Sequence, residues 1–340
     1  MMRLPYFAFH APRTVGEAAD LLAAHGSDAM LVAGGTDLLP NMKRRQQVPR
    51  TLISLRNVAA LRQRSREDAA TLGAGLTLTE IVRDQRLRAD YTALWQAASQ
   101  IATPQLRNMG TLGGNLCLDT RCNYYDQNYE WRKAIDFCMK KDGETCWVAT
   151  SSPKCLAVSS TDTAPALLAL GAQISLTSAT GTRLISLDDL YRNDGIHYLT
   201  RQPTEILTTV LLPDATGWRS TYWKLRRRGA FDFPVLSVAA AAHFGSDGAV
   251  TDARIVLGAV ASRPVAAPAA AAALVGEPLT DASIGRAAEL AAQPSRPMDN
   301  TDFHLTWRKR VTRNVVEYAL RELRGDDMRV VRRRVARQLL

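Results

Sequence analysis

The sequence has no long uninterrupted hydrophobic run, although apolar residues make up 46% of its 340 residues. Its longest apolar stretch, residues 233–244, contains Ser and His and is too short to cross a bilayer. The N-terminus also lacks the apolar segment and small-residue cleavage site of a secretory signal. We therefore expect a soluble, cytoplasmic protein with material for more than one hydrophobic core and no association with membranes.

Aromatic residues are scarce, at 6%, and acidic residues are outnumbered by basic ones, 33 against 43, which gives a net charge of +10. Part of the excess lies in a C-terminal tail, residues 325–340, which contains Arg329, Arg332, Arg333, Arg334 and Arg337. The tail has no aromatic side chain on which bases could stack, so we expect no nucleic-acid binding. A solvated basic face that docks on a protein partner is the interpretation we favour.

Two nucleotide-binding motifs are absent, Gly-x-Gly-x-x-Gly and Gly-x₄-Gly-Lys-Ser/Thr. A Rossmann nicotinamide site and a P-loop NTPase are therefore not indicated. The five histidines are scattered along the chain and form no acid–base constellation. We expect no catalytic residue in this chain.

Cysteine is missing from most of the chain, and all five cysteines lie between Cys117 and Cys155. The odd number and the absence of a signal peptide argue against disulfides. The irregular spacing contains no Cys-x-x-Cys pair of the kind that structural zinc sites use, whereas an iron–sulfur cluster needs four cysteines at varied spacing. Metal binding is favoured, with a cluster preferred over zinc, and inert buried thiols remain the alternative.

The order of patterns predicts an α+β protein. Short apolar strands alternate with capped helices before the cysteines, and a strand at 205–212 closes the first domain. From residue 220 onward the pattern predicts strands at 221–226 and 253–260, a helix at 235–242, and two terminal helices at 281–292 and 303–324.

A strand that leads into Gly34-Gly35-Thr36-Asp37 and then into a helix presents several backbone N–H groups to an anion. Only glycine lets the backbone approach phosphate oxygens this closely. With the glycine-rich residues 110–115, these loops indicate an extended phosphate ligand. From the residues alone, the prediction ends at a nucleotide or flavin site beside a metal cluster.

Three segments carry a resemblance to a known family. They are residues 31–39, Leu-Val-Ala-Gly-Gly-Thr-Asp-Leu-Leu; residues 111–115, Thr-Leu-Gly-Gly-Asn; and residues 161–167, Thr-Asp-Thr-Ala-Pro-Ala-Leu. In this order they resemble the three flavin motifs of the FAD-binding medium subunits of the molybdenum hydroxylase (xanthine dehydrogenase) family, and residues 224–237 resemble the start of that family's C-terminal domain. The resemblance implies a two-part PCMH-type FAD-binding domain at 1–219, a C-terminal α+β domain at 220–324 with a small antiparallel sheet and helices, and the basic tail at 325–340.

The resemblance also implies which residues contact FAD. They are Leu31, Val32, Ala33, Gly34, Gly35, Thr36, Asp37, Leu38, Ile101, Thr111, Gly114, Asn115, Asp162, Leu207 and Lys224. Gly34 to Asp37 would cradle the pyrophosphate, and Asp162 would bind flavin or ribityl hydroxyls. Lys224 would approach the isoalloxazine, whereas Ile101 is aliphatic where relatives often carry an aromatic.

An insertion at about 116–158 separates the second and third motifs and is similar to that of 4-hydroxybenzoyl-CoA reductase β subunits. That resemblance implies a [4Fe–4S] cluster held by Cys122, Cys138, Cys146 and Cys155, with Cys117 as the spare thiol. The expected partners are a large subunit with the molybdenum cofactor and a small subunit with [2Fe–2S] clusters, in a dimer of heterotrimers.

The resulting hypothesis is an electron-transfer subunit that relays electrons from ferredoxin through [4Fe–4S], FAD and [2Fe–2S] to molybdenum for reductive dehydroxylation in aromatic degradation. An alternative is the FAD subunit of an oxidising hydroxylase for a purine, an aldehyde or an N-heterocycle. A remote alternative is a zinc-stabilised basic binding module.

Overall fold

The first lobe of the computed structural model, which describes residues 3–66 and 69–337, is built on a three-stranded parallel sheet in the order β1-β3-β2. Thr14 caps its first helix by accepting a hydrogen bond from Glu17 N at 3.1 Å, and Gly26 ends that helix at φ 53°. The elements are β1 (Ala8–His10), α1 (Val15–His25), β2 (Ala29–Val32), α2 (Leu38–Lys43) and β3 (Thr51–Ser54).

The second lobe contains a five-stranded antiparallel sheet in the order β4-β5-β8-β6-β7, covered by short helices. Before the cysteines, its elements are β4 (Arg64–Arg66), β5 (Ala70–Gly73), α3 (Leu78–Arg83), α4 (Gln85–Asp90), α5 (Thr92–Ser99), α6 (Pro104–Arg107) and α7 (Leu112–Leu116). The cysteine segment adds α8 (Tyr129–Ala134), and after it come α9 (Thr163–Ala169), β6 (Gln173–Ser178), β7 (Gly181–Ser186) and β8 (Ile206–Leu212).

The cysteine segment between α7 and α9 has little regular structure; α8, of six residues, is its one helix, and residues 117–162 contain no strand. Its two ends lie side by side, because Arg121 and Val158 exchange backbone hydrogen bonds of 2.8 and 2.7 Å. The segment is therefore a loop that leaves and re-enters the second lobe at one place.

The C-terminal part is a four-stranded antiparallel sheet, in the order β12-β11-β10-β9, packed against helices around its own apolar core. The predicted small antiparallel sheet with helices is thus confirmed. The elements are β9 (Trp218–Leu225), β10 (Leu236–Phe244), β11 (Val250–Gly258), β12 (Val265–Ala266), α10 (Pro268–Ala272), α11 (Asp281–Ala292), α12 (Leu305–Arg324) and α13 (Arg329–Ala336).

The helix predicted at 235–242 is wrong, because these residues form the inner strand β10. Its alanines are buried on both faces of the sheet, and Ala240 pairs with Thr221 on one side and with Ile255 on the other. A strand buried on both faces has no polar alternation, so its sequence is indistinguishable by period from that of a buried helix.

The basic tail forms a docked helix, α13, over its described part. The Arg332 guanidinium lies 4.2 Å from the centroid of the Trp223 ring, and its Nε is 2.7 Å from Glu322 Oε1. Arg333 and Arg334 remain exposed. Across residues 3–66 and 69–337, we find no helix with the length and apolarity that a membrane span requires.

Candidate flavin cavity and cysteine cluster

A cavity of about 1040 Å³ opens where the three glycine- and threonine-rich motifs meet. Ligand pockets usually measure about 300–1,000 Å³, so this volume suits a large extended ligand. The predicted flavin residues that line it are Leu31, Val32, Ala33, Gly34, Gly35, Thr36, Asp37, Leu38, Ile101, Thr111, Gly114, Asn115, Asp162 and Leu207. Lys224 is not part of the lining.

The first motif forms the floor where β2 ends. A Cβ placed on Gly34 would lie 2.0 Å from the carbonyl oxygen of Met109, so only glycine allows the first and second motifs to touch. Gly35 adopts φ 69°, a left-handed conformation that glycine reaches without strain. Both glycines are therefore required by the backbone path.

Asn115 joins the second motif to the third. Its Oδ1 accepts hydrogen bonds from Thr161 Oγ1 at 2.9 Å, from Thr163 N at 3.0 Å and from Thr163 Oγ1 at 2.6 Å. Thr111 caps α7 by accepting from Gly114 N at 3.1 Å. The two polar residues thus fix the relative position of the loops as well as lining the cavity.

Asp162 is the buried anion of the cavity wall, and Lys224 on β9 is its counter-ion. The Lys224 ammonium lies 3.0 Å from Asp162 Oδ2 and 3.1 Å from the Gln100 carbonyl oxygen, and Tyr222 Oη donates to Asp162 Oδ1 at 2.6 Å. Burial raises the pKa of Asp162 and lowers the pKa of Lys224, against the attraction between the two charges. Lys224 therefore contacts the cavity wall through Asp162. The ion pair joins the C-terminal sheet to the second lobe.

Several residues that line the cavity were not predicted from the sequence, among them Arg121, Asp119, Ser160 and Tyr198. Arg121 forms ion pairs with Asp37 of the first motif and with Asp126, at 3.3 Å for the latter. The signal was present in part, since Asp119 and Arg121 stand between the second motif and Cys122.

Four of the five cysteines are buried and converge. Cys122, Cys138 and Cys155 share one apolar cluster, Cys122 interacts electrostatically with the other two, and Cys146 interacts with Cys155. Burial raises the pKa of Cys122 to about 12 and that of Cys155 to about 11. Cys117 stands apart, half-buried against the core of the second lobe.

The chemistry of this donor set fits a cluster with four thiolate ligands. Across the described residues 3–66 and 69–337, no three His, Cys, Asp or Glu side chains lie close enough to ligate a single metal ion. A cubane holds its thiolates farther apart than one ion does, because each sulfur binds a different iron. The buried Arg132 guanidinium, which makes no hydrogen bond within the described part of the chain and lies 3.6 Å from Asp142 Oδ2, adds a cation to the same segment, where thiolates would be anionic.

Comparison with protein families matches both parts of the chain. Residues 5–215 match the family described as the FAD binding domain in molybdopterin dehydrogenase. Residues 220–323 match the CO dehydrogenase flavoprotein C-terminal domain. The two matches meet between β8 and β9, where the chain passes from one sheet to the other.

Curated relatives extend over most of the chain. The aldehyde oxidoreductase FAD-binding subunit PaoB of Escherichia coli K12 is 35% identical over 269 residues, which cover 76% of this chain and 82% of that one. The nicotinate dehydrogenase FAD-subunit of Eubacterium barkeri is 30% identical over 279 residues, 81% of each chain.

Solved structures share the fold. A carbon monoxide dehydrogenase of Hydrogenophaga pseudoflava superposes with a TM-score of 0.77 at 28% identity, covering 94% of this chain and 97% of that chain. Quinoline 2-oxidoreductase from Pseudomonas putida 86 superposes with a TM-score of 0.74 at 25% identity, covering 95% and 98%. The predicted α+β fold with its two parts is thereby confirmed.

Proposed function

Because this chain belongs to the family of FAD-binding medium subunits of molybdenum hydroxylases, we propose that it is the flavin subunit of an oxidising hydroxylase, with aldehydes as the first substrate class to test. The single observation that carries the substrate class is the 35% identity to an aldehyde oxidoreductase FAD-binding subunit, over 82% of that subunit. The other relatives named above are a nicotinate dehydrogenase, a carbon monoxide dehydrogenase and a quinoline oxidoreductase, whose names also describe oxidations.

The flavin, when bound, supplies the capacity to take up and release electrons. The chain's own residues hold it: the backbone around Gly34 and Gly35 accommodates the pyrophosphate, and the Thr111 and Asn115 side chains border its path. Asp162 offers a buried carboxylate to hydroxyl donors, and the charge of Lys224 opposes the rise that burial causes in the pKa of that carboxylate. Substrate contacts belong to the large subunit of the proposed complex.

We extend the proposal to a [4Fe–4S] cluster in the cysteine insertion, with Cys122, Cys138, Cys146 and Cys155 as ligands. The burial and convergence of these four thiols support it, as does the separation of Cys117 from them. Burial raises the pKa of Cys122 and of Cys155, and cysteine binds metal as the thiolate, so binding of the cluster would release protons. The cluster, when bound, supplies one-electron exchange beside the flavin.

A second candidate is the 4-hydroxybenzoyl-CoA reductase type, in which ferredoxin supplies electrons for a reductive dehydroxylation. The cysteine insertion favours it, because the segment between the second and third motifs resembles that of those reductases. In either case, the proposed partners are a large subunit with the molybdenum cofactor and a small subunit with [2Fe–2S] clusters, assembled as a dimer of heterotrimers.

One experiment separates the two candidates. The complex is purified with this chain tagged, its FAD and iron are quantified, and it is assayed in both directions. Oxidation of an aldehyde to a carboxylate, with the oxygen atom taken from water, protons released and two electrons passed to a dye as the oxidant, supports the oxidising function. Reduction of 4-hydroxybenzoyl-CoA by a low-potential donor, without aldehyde oxidation, would overturn it in favour of the second candidate. A complex without FAD would refute both.

A further inference from the structure

Lys140 is a buried cation inside the cysteine insertion, with only 7% of its side chain exposed. Its ammonium donates to Asp119 Oδ1 at 2.8 Å, to Thr120 Oγ1 at 2.7 Å and to the Gly195 carbonyl oxygen at 2.6 Å. All three of its protons therefore have acceptors, and one of those acceptors carries a charge. A lysine that served only as a solubilising surface group would not need such a site.

One side of Lys140 faces the flavin cavity. Asp119, its ion-pair partner, lines that cavity, and so does Tyr198, whose ring centroid is 5.5 Å from the ammonium. The Tyr125 ring lies 4.9 Å from the same ammonium, and its hydroxyl donates to Asp119 Oδ2 at 3.2 Å. Tyr125 itself packs in the apolar cluster with the cysteines.

The other side of Lys140 faces Cys155. Gly195, whose carbonyl oxygen accepts from the ammonium, donates its N–H to the Cys155 carbonyl oxygen at 2.9 Å. A Cβ on Gly195 would lie 2.6 Å from Cys155 Sγ, so the glycine is in direct contact with this thiol. Lys140 also interacts electrostatically with Cys155, where its charge opposes the rise that burial causes in the pKa of the thiol.

We propose that Lys140 is a positioning residue that raises the reduction potential of the metal cluster held by the four cysteines. This inference rests on the [4Fe–4S] cluster of the proposed function. Gaining one electron adds one negative charge to the cluster, and a buried cation nearby stabilises that charge in a low-dielectric environment. A reduced flavin in the complex, or the low-potential reductant added in a redox titration, would supply that electron. Through Asp119 and Tyr198, the same side chain ties the cluster to the cavity wall.

The test uses the purified complex and measures the cluster potential by a redox titration followed by electron paramagnetic resonance. Lys140→Met removes the charge and keeps the length of the side chain. We expect the equilibrium constant for cluster reduction to fall about tenfold, or about 59 mV for one electron. Lys140→Arg keeps the charge and should stay near the wild type.

Lys154→Met is the matched control. Lys154 precedes Cys155 in the sequence, but it bonds the Asn193 carbonyl oxygen at 2.6 Å in an exposed position, where water and salt screen its charge. Its removal should leave the potential unchanged. A shift as large as that of Lys140→Met would contradict a specific role for the buried lysine.

Asp119→Asn should shift the reduction potential of the cluster in the opposite direction, because it removes the anion that partly neutralises Lys140. It also tests the proposal if the Lys140→Met complex fails to assemble. We expect it to raise the potential. A lowered or unchanged potential in Asp119→Asn, or an unchanged one in Lys140→Met, would overturn the inference while leaving the proposed function intact. A wild-type complex with FAD, in which the iron does not exceed that of the small subunit's [2Fe–2S] clusters by about four per copy of this chain, would overturn the cluster itself and this inference with it.

Discussion

The flavin cavity and the cysteine insertion are neighbours built on opposite principles. The cavity is shaped by backbone, at glycines such as Gly34 where any side chain would collide, and by threonines that cap short helices. The insertion is shaped by side chains, with four buried thiols and buried cations on an irregular loop. A site made from backbone tolerates few sequences, whereas a site made from side chains tolerates many loop lengths.

Removing one thiol is expected to produce the largest effect and tests whether the insertion has a function of its own. Cys138→Ser should abolish cluster iron while FAD remains, because the cluster needs four thiolates. Cys117→Ser, outside the group of four, should keep both. Iron and flavin per chain measure the outcome. Equal iron in the two variants would show that the cysteines converge for packing alone.

Breaking the buried pair at the boundary between the two sheets should cost the most stability. Asp162→Asn leaves the Lys224 charge buried without a counter-ion, so we expect a loss of about 3–5 kcal/mol in the free energy of unfolding. Asp281→Asn, the exposed control that pairs with Arg324 at 2.7 Å, should cost less than about 1 kcal/mol. Urea unfolding measures both, and similar losses would contradict the role of burial.

Adding one methyl group to a glycine should weaken FAD binding in the backbone-built site but not on an ordinary helix surface. Gly34→Ala places a Cβ against the Met109 carbonyl oxygen. We expect this overpacking to cost about 1–3 kcal/mol and to weaken FAD binding roughly tenfold to hundredfold. Gly16→Ala in α1 meets no atom closer than 4.0 Å and should leave FAD binding unchanged. Flavin titration followed by fluorescence reports the affinities. Unaltered binding in Gly34→Ala would mean that the two motifs can move apart.

The smallest expected effect concerns the ion pair between Glu322 and Arg332 of the tail. Burial alone raises the pKa of Glu322, but hydrogen bonds from Arg332, Thr221 and Trp223 outweigh it and hold the pKa below 4.5. A carboxylate with a depressed folded pKa stabilises the fold above the unfolded value and loses this contribution as the pH falls through the folded value. Glu322→Gln should therefore destabilise the protein by up to about 1 kcal/mol near neutral pH, with the difference shrinking below pH 4.5. Denaturation at several pH values checks this; a difference independent of pH would refute it.

Most of the candidate flavin site could be predicted from the sequence, because a backbone-built cradle requires glycine at fixed places. The position of Lys224 at the isoalloxazine stays a prediction, and the structure buries its ammonium beside Asp162. Arg121 and Tyr198 were missed because they reach the cavity from segments without a motif. The helix expected at 235–242 was wrong because burial on both faces removes the alternation that identifies a strand.

The sequence by itself determined the family and its flavin motifs, since local backbone geometry permits only certain residues there. It also confined the cysteines to one segment. The resemblance implied that Cys117 is the spare thiol, but only the tertiary structure decided how the other four come together and that Lys140 lies between them and the cavity. Such placements depend on contacts between residues distant in the chain, whose spacing carries no periodic signal.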